Sequence, residues 1–287
     1  MATKQLHNGD TIPVLGLGTY RVKTEDVLKP VVHQAIQNGY RLIDSATVYR
    51  NEEVLGRILK EVFDDPSFGV QRQDMFITSK LSPQNQGYDA CYKAVTESLE
   101  RFGLEYFDLY LIHWPGTAKK KLSDPINQEN RMGSYRALET LHREGKVRHI
   151  GISNYTARHL QHLLDHCEIV PHVHQFELHP RLVQQDILDL CDKHHIQVQA
   201  YSSLGEGKLL TDEDVLDIVK DRNVAQVLLR WAVQHGWIVI PKSSNPDRVS
   251  SNAKVLSLEL SDEDMKKLDA VHQAETQRFC WDPSDII

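Results

Sequence analysis

Short apolar runs alternate with amphipathic stretches along the whole chain. The runs are "VLGLG", "YRLIDS", "MFITSK", "FDLYLIHW", "VRHIGIS", "VHQFEL", "IQVQAYS" and "WIVIPKS". Each is short and rich in β-branched and aromatic residues, so each predicts a strand. Between them, "EDVLKPVVHQAIQNG", "DACYKAVTESLERFG" and "SYRALETLHREGK" carry a helical period. Gly39, Gly103 and Gly145 fall where such helices should stop. Pro30 falls inside the first helical pattern and blurs its boundaries. Ahead of the alternation, Asn8-Gly9 in "KQLHNGDTIPVLGLGTY" is a hairpin turn signal.

About eight strand–helix units predict a (β/α)8 barrel with an N-terminal β-hairpin, of class α/β. The competing arrangement is a doubly wound open sheet. The 287 residues suit one large barrel, and no composition shift marks a linker, so residues 1–287 are expected to form a single domain. The polar stretch Gly116 to Glu129, "GTAKKKLSDPINQE", has no clear period and reads as a surface loop after the fourth strand.

Composition narrows the function classes. The net charge is −7, which argues against nucleic acid as a partner. The start "MATKQLHNGD" has no apolar signal core, and no run is long enough to cross a membrane. Cys91, Cys167, Cys191 and Cys280 show no metal-type spacing and read as thiols of a reducing compartment. The expectation is a cytoplasmic protein with no metal, membrane or nucleic-acid partner.

The chemistry lies at the carboxyl ends of the strands, which a barrel gathers on one face. Asp44 ends the second strand, and Tyr49 follows in the next loop. Lys80 ends the third strand, His113 the fourth and Ser153-Asn154 the fifth. Gln175 and Glu177 lie on the sixth, Tyr201-Ser202 on the seventh, and Lys242-Ser243 on the eighth. Singly, Asp44 is as readily a cap, His113 a core histidine, and Lys80 half of a structural ion pair. Together they suggest a site. A lysine closing a core strand calls for a counter-charge, and Asp44 on the neighbouring strand can supply it. A nearby ammonium would lower the pKa of Tyr49 and make it a usable general acid. His113 could orient a carbonyl oxygen. These groups suit protonation of a carbonyl oxygen while hydride reaches its carbon, and hydride requires a cofactor. Gly16-Leu17-Gly18 is only half of a dinucleotide fingerprint. "IPKSSNPDRVSSN" is a better phosphate site: Asn245 caps and Pro246 opens a helix, and Arg248 adds a planar cation.

The chain resembles the aldo-keto reductase superfamily nearly end to end. "GLGTY", "LIDSATVYRNEEVLG", "FITSKL", "SLERFGLEYFDLYLIHWP", "GKVRHIGISNY", "QFELHP", "AYSSLG", "AQVLLRWAVQHGWIVIPKS" and "RVSSN" carry the resemblance in order. It implies a barrel that reduces aldehydes and ketones with NADPH, usually as a monomer. It matches Asp44, Tyr49, Lys80 and His113 to the catalytic tetrad. Ser153, Asn154 and Gln175 match the nicotinamide amide contacts, and Tyr201 the aromatic that stacks on the ring. Lys242, Ser243 and Arg248 match the 2′-phosphate clamp, and Asn252 an adenine contact. The resemblance further places Thr19, Tyr20, Asp44, Ser202 and Leu204 around the cofactor. Tyr20, Tyr49, His113 and Trp114 are placed around the substrate.

Five positions depart from the family pattern. Tyr20 and Tyr155 stand for Trp and Phe, His174 for Asn, and Ser203 for Pro. Ser251 replaces an acidic residue beside Asn252, implying a weaker adenine contact. The short tail "RFCWDPSDII" implies an open pocket for small carbonyls. A competing expectation from the same resemblance is a nucleotide-binding structural or regulatory subunit.

Overall fold

A computed structural model describes residues 2–287. The first two strands, β1 (Thr3–Gln5) and β2 (Thr11–Pro13), pair antiparallel. Gly9, at φ +93°, permits the turn between them. Eight parallel strands follow: β3 (Gly16–Gly18), β4 (Leu42–Asp44), β5 (Phe76–Leu81), β6 (Phe107–Ile112), β7 (Val147–Ser153), β8 (Val173–Glu177), β9 (Gln197–Tyr201) and β10 (Ile238–Val239). Each pairs with the next in sequence. Parallel bridges Leu15–Val239 and Gly18–Lys242 bring the first of the eight beside the last, which closes the barrel.

The interior is narrow. A Cβ on Gly16 would fall 2.1 Å from Leu42 Cδ2. Leu42, Phe76, Leu109, Leu111, Val173, Ile238 and Ile240 fill the interior, and Leu6 and Ile12 of the hairpin join the same cluster. The hairpin therefore covers the amino-terminal end, and the polar strand termini gather at the carboxyl end. A larger apolar cluster lies between strands and helices. It receives the apolar faces of α1 (Glu25–Gln37), α2 (Glu52–Asp64), α3 (Tyr88–Phe102), α4 (Ile126–Arg143), α5 (Ala157–Leu164), α6 (Gln185–Lys193), α7 (Glu213–Val219), α8 (Val224–Gln234), α9 (Pro246–Ala253) and α10 (Asp262–Ala274). No helix among the described residues is long and apolar enough to cross a membrane.

Two expectations about local structure change. Helix α1 continues through Pro30. Its ring faces solvent, where water can satisfy the carbonyl that loses its partner. The stretch after β6 is shorter than its composition suggests, because α4 already begins at Ile126. Buried Asn127, in the first turn of α4, accepts from Thr117 N at 2.9 Å and donates to Lys121 O at 2.9 Å and Leu122 O at 3.2 Å. One helical side chain thus orders a loop that has no pattern of its own.

Candidate active site

Lys80 lies at the penultimate position of β5, and its side chain points into the barrel mouth with no exposure. Its Nζ donates to Asp44 Oδ1 at 2.5 Å and to Ser45 O at 2.8 Å. Asp44 is fixed on its other side. Its Oδ2 accepts from Gln175 Nε2 at 2.8 Å, and Gln175 also donates to Gln199 Oε1 at 2.7 Å. The backbone carbonyl of Asp44 accepts from Thr19 N at 3.1 Å and from Thr19 Oγ1 at 2.9 Å. Side chains from β5 and β8 thus converge on the one buried carboxylate at the end of β4, while the residue after β3 holds its backbone.

Tyr49 closes a 3₁₀ turn, Thr47–Tyr49, that follows β4. The turn ends because Arg50 adopts a left-handed conformation at φ 57°. Lys80 Nζ lies 5.0 Å from the centroid of the Tyr49 ring. The His113 ring lies edge-on to Tyr49, 5.7 Å between centroids at 76°. Tyr20 tilts against Tyr49 at 5.1 Å, and Trp114 stacks beside His113 at 6.2 Å. Four residues distant in sequence, with two aromatic neighbours, therefore share one recess.

The electrostatics differ from expectation at one group. Burial, reinforced by the charge of Asp44, holds the Tyr49 phenol well above its ordinary value, not below it. Asp44 opposes the Lys80 ammonium at the phenol, so burial sets the direction of the shift. Burial also lowers Lys80 from its ordinary value, against the attraction of Asp44. His113 is pushed well below the ordinary histidine range by burial and by Lys80, so its imidazole is neutral near pH 7. The recess presents a protonated phenol beside a neutral imidazole, and both forms carry a hydrogen-bond donor.

The predicted cofactor contacts fall into two groups. At the end of β7, Asn154 takes φ 62°, a left-handed conformation that asparagine tolerates. Its Nδ2 donates to His113 O at 2.9 Å and to Ser153 Oγ at 3.1 Å, and its Oδ1 accepts from Tyr201 Oη at 2.5 Å. Ser153, Asn154, Gln175 and Tyr201 are thereby tied to the recess. Ser202 Oγ lies 3.3 Å from Cys280 Sγ, and Leu204 packs partly buried against the outer core.

The second group surrounds the amino end of α9. Asn245 Oδ1 accepts from Asp247 N at 2.8 Å and Arg248 N at 3.3 Å, so the predicted cap is present. Ser243 Oγ donates to Asn245 O at 3.1 Å and accepts from Asn245 N at 3.0 Å. Lys242 and Arg248 are exposed, while Asn252 is buried in the helix. Ser251, the departure noted beside it, accepts from Gln226 Nε2 at its hydroxyl, 3.0 Å away. The Gly18–Lys242 bridge joins this group to the barrel.

The sequence did not single out the tail as part of the mouth. The Trp281 ring lies 4.8 Å from that of Trp114, and Cys280 meets Ser202. The short tail therefore walls one side of the recess instead of leaving it bare. The only signal in the sequence was a pair of aromatics, Phe279 and Trp281 in "RFCW", outside any periodic element.

Comparison with known proteins agrees with this geometry. The family model described as "Aldo/keto reductase family" matches residues 14–273. The glyoxal reductase of Bacillus subtilis (strain 168) is 45% identical over 275 residues, spanning 95% of this chain and 94% of the relative. A 9,11-endoperoxide prostaglandin H2 reductase of Trypanosoma cruzi (strain CL Brener) is 39% identical, spanning 98% of this chain and 94% of the relative. Among solved structures, the Bombyx mori aldo-keto reductase in complex with NADP superposes with a TM-score of 0.86 at 29% identity. That match covers 97% of this chain and 94% of the other.

Proposed function

We propose, from the premise that this chain belongs to the aldo/keto reductase family, that it reduces small aldehydes and ketones with NADPH and that Tyr49 is the general acid. Family membership makes the chain an oxidoreductase; the cofactor, the acid and the carbonyl class are the proposed part. The observation that carries the proposal is the convergence of Tyr49, His113 and the buried Lys80–Asp44 pair at the mouth of the barrel.

The residues suit the cofactor. Lys242 and Arg248 are exposed cations with no ion pair among the described residues, and they flank a capped helix start. Lys242, Ser243 and Arg248 would hold the 2′-phosphate, and Asn252 the adenine. Ser153, Asn154 and Gln175 would hold the nicotinamide amide, and Tyr201 its ring. Thr19, Tyr20, Ser202 and Leu204 would complete the contacts. When bound, the reduced cofactor supplies the hydride that adds to the carbonyl carbon.

The chain's own part is to place the carbonyl and deliver a proton. Tyr49 stays protonated at neutral pH, so its Oη–H can donate to a carbonyl oxygen without a prior ionisation step. As the proton leaves, negative charge grows on the phenol. The Lys80 ammonium, 5.0 Å from the ring centroid, stabilises that charge. Asp44 keeps Lys80 charged despite its burial. Neutral His113 donates a second hydrogen bond to the same oxygen and orients it. Tyr20, Trp114 and Trp281 form the aromatic walls of the recess.

The substrate class is taken as small aldehydes, ketones and dicarbonyls, in line with the glyoxal reductase relative. A cytoplasmic monomer of one domain, residues 1–287, is part of the same reading. Loss of NADPH absorbance with glyoxal, simple aldehydes and ketones tests it. No turnover across that panel with either NADPH or NADH would overturn it.

A further inference from the structure

The last residues of the chain cross the mouth as a strap held at both ends. At the far end Ile286 is fully buried. Its carbonyl accepts from His159 Nε2 at 2.7 Å and from Arg158. Its side chain abuts Gly116, where an added Cβ would lie 3.0 Å from Ile286 Cδ1. At the near end the anchor is Glu177, the last residue of β8, whose side chain has no exposure.

Two consecutive backbone amides of the strap converge on this carboxylate. Phe279 N donates to Oε1 at 2.7 Å and Cys280 N to Oε2 at 3.0 Å. His179 Nε2 donates to Oε1 at 3.0 Å, and Arg278 Nη1 approaches Oε2 at 3.9 Å. Burial pushes the Glu177 carboxyl up, but its donors outweigh burial and hold it below its ordinary value. A buried carboxylate is costly unless its oxygens are satisfied, and here the strap's own backbone supplies two of the donors. The strap and the carboxylate therefore need each other.

Between the anchors lie Cys280, against Ser202, and Trp281, against Trp114. Trp281 is 51% exposed, so core burial does not fix its position. Its place follows from the backbone of the residues just before it. The same strand that sends Gln175 to Asp44 sends Glu177 to the strap two residues later.

We propose that Glu177 is a positioning residue for the carbonyl substrate, holding the strap through the Phe279 and Cys280 amides so that Trp281 forms a fixed wall against Trp114. The proposal rests on reading the barrel mouth as the carbonyl pocket. It assigns to Glu177 no contact with substrate or cofactor. It makes the pocket wall preformed, so bulky aromatic aldehydes gain most from it and glyoxal least.

The test uses the full chain with NADPH bound, as Glu177→Gln, Trp281→Ala and the double variant. Hydrogen exchange of the Phe279 and Cys280 amides should speed up about tenfold or more in Glu177→Gln, because charge-assisted hydrogen bonds are lost. Unchanged exchange there would overturn the proposal, and this arm needs no turnover. In kinetics, both single variants should raise KM for phenylglyoxal by about fivefold to tenfold, in keeping with the loss of a single aromatic contact. Their kcat and NADPH affinity should stay near those of the unmodified protein. The double variant should be no worse than Trp281→Ala alone. Additive losses, or an equal fall in kcat, would overturn it. If Glu177→Gln does not fold, Arg278→Ala loosens the same strap from its solvent side and is held to the same outcomes. If the unmodified protein reduces no carbonyl, the proposed function fails, while the exchange measurement still decides whether Glu177 holds the strap.

Discussion

Lys80 Nζ and Asp44 Oδ1 lie 2.5 Å apart, with side-chain exposures of 0% and 3%. Removing one member of such a pair strands the other charge out of water. Lys80→Met should therefore cost about 3–5 kcal/mol of stability. Lys80→Met with Asp44→Asn should cost less than the two single changes summed, because no charge is left alone. Denaturant unfolding of the three variants measures this. Lys80→Met should lose reduction both alone and combined with Asp44→Asn, since the cation that stabilises the Tyr49 phenolate is gone. A double variant that regains stability without regaining activity separates the structural role of the pair from its proposed chemical one.

The Tyr49 amide donates to Ala46 O at 2.9 Å, but its hydroxyl makes no hydrogen bond among the described residues and so contributes little to the fold. Tyr49→Phe should keep its melting temperature and its NADPH affinity, yet lose about 10²–10⁴-fold in kcat, the usual range for general acid catalysis. Near-normal turnover would remove Tyr49 from the mechanism. Because burial and Asp44 raise this phenol, ultraviolet titration of the cofactor-free protein should show no ionisation of Tyr49 below about pH 10, the ordinary tyrosine value. A difference between unmodified protein and Tyr49→Phe in that range would contradict the electrostatics described here.

The tyrosine also marks where sequence reasoning stops. All eight barrel strands were legible, because each is a short apolar run set off by helical periodicity. So was the Lys80–Asp44 pair, because a lysine closing a core strand demands a partner. The direction of the Tyr49 shift was not legible. It depends on how much of the Lys80 field Asp44 cancels, which is a matter of a few ångströms. The strap was not legible either. Residues 279–286 have no period, and their position depends on Glu177, about a hundred residues earlier, on a different element. The loop before α4 failed for a related reason, since Asn127 orders it from inside the helix.

Three buried histidines make the fold sensitive to acid. Burial lowers His159 to about 4, His172 to about 3 and His174 to about 3. Neighbouring His149, His7 and His142 add to the effect at His172, and His159 adds to it at His174. In the unfolded chain each titrates near 6.5. The folded values are depressed, so below pH 6.5 the unfolded chain binds more protons. Stability is therefore full above about pH 6.5 and falls as pH drops towards 4 and 3, by roughly 1 kcal/mol per pH unit for each histidine. Thermal unfolding across that window should show the loss. His174→Asn, which restores the residue usual in the family and cannot take a proton, should flatten the slope by about one proton.

NADPH and NADH differ by one phosphate on the adenosine ribose, and the residues around the start of α9 are suited to that difference. Lys242 supplies a point charge, and Arg248 a planar fork of donors. Both are exposed and carry no competing ion pair among the described residues. Ser243 is engaged with Asn245, which makes it the weakest contributor unless its hydroxyl turns. Asp247, the only carboxylate between Pro241 and Arg248, has its backbone amide bound to the Asn245 cap. A hydrogen bond to a charged group contributes about 1.5–3 kcal/mol, enough for a tenfold preference or more from one residue. NADPH should bind at least tenfold more tightly than NADH on that scale. Arg248→Ala should weaken NADPH far more than NADH, while Ser243→Ala should change the ratio little. Added salt should narrow the gap, because these cations face solvent and are screened within about 10 Å at 0.1 M ionic strength. Fluorescence titration of both cofactors at low and high salt reads all of these quantities together. Equal affinities in the unmodified protein, or equal losses in Arg248→Ala, would reduce the α9 terminus to a solvated basic turn.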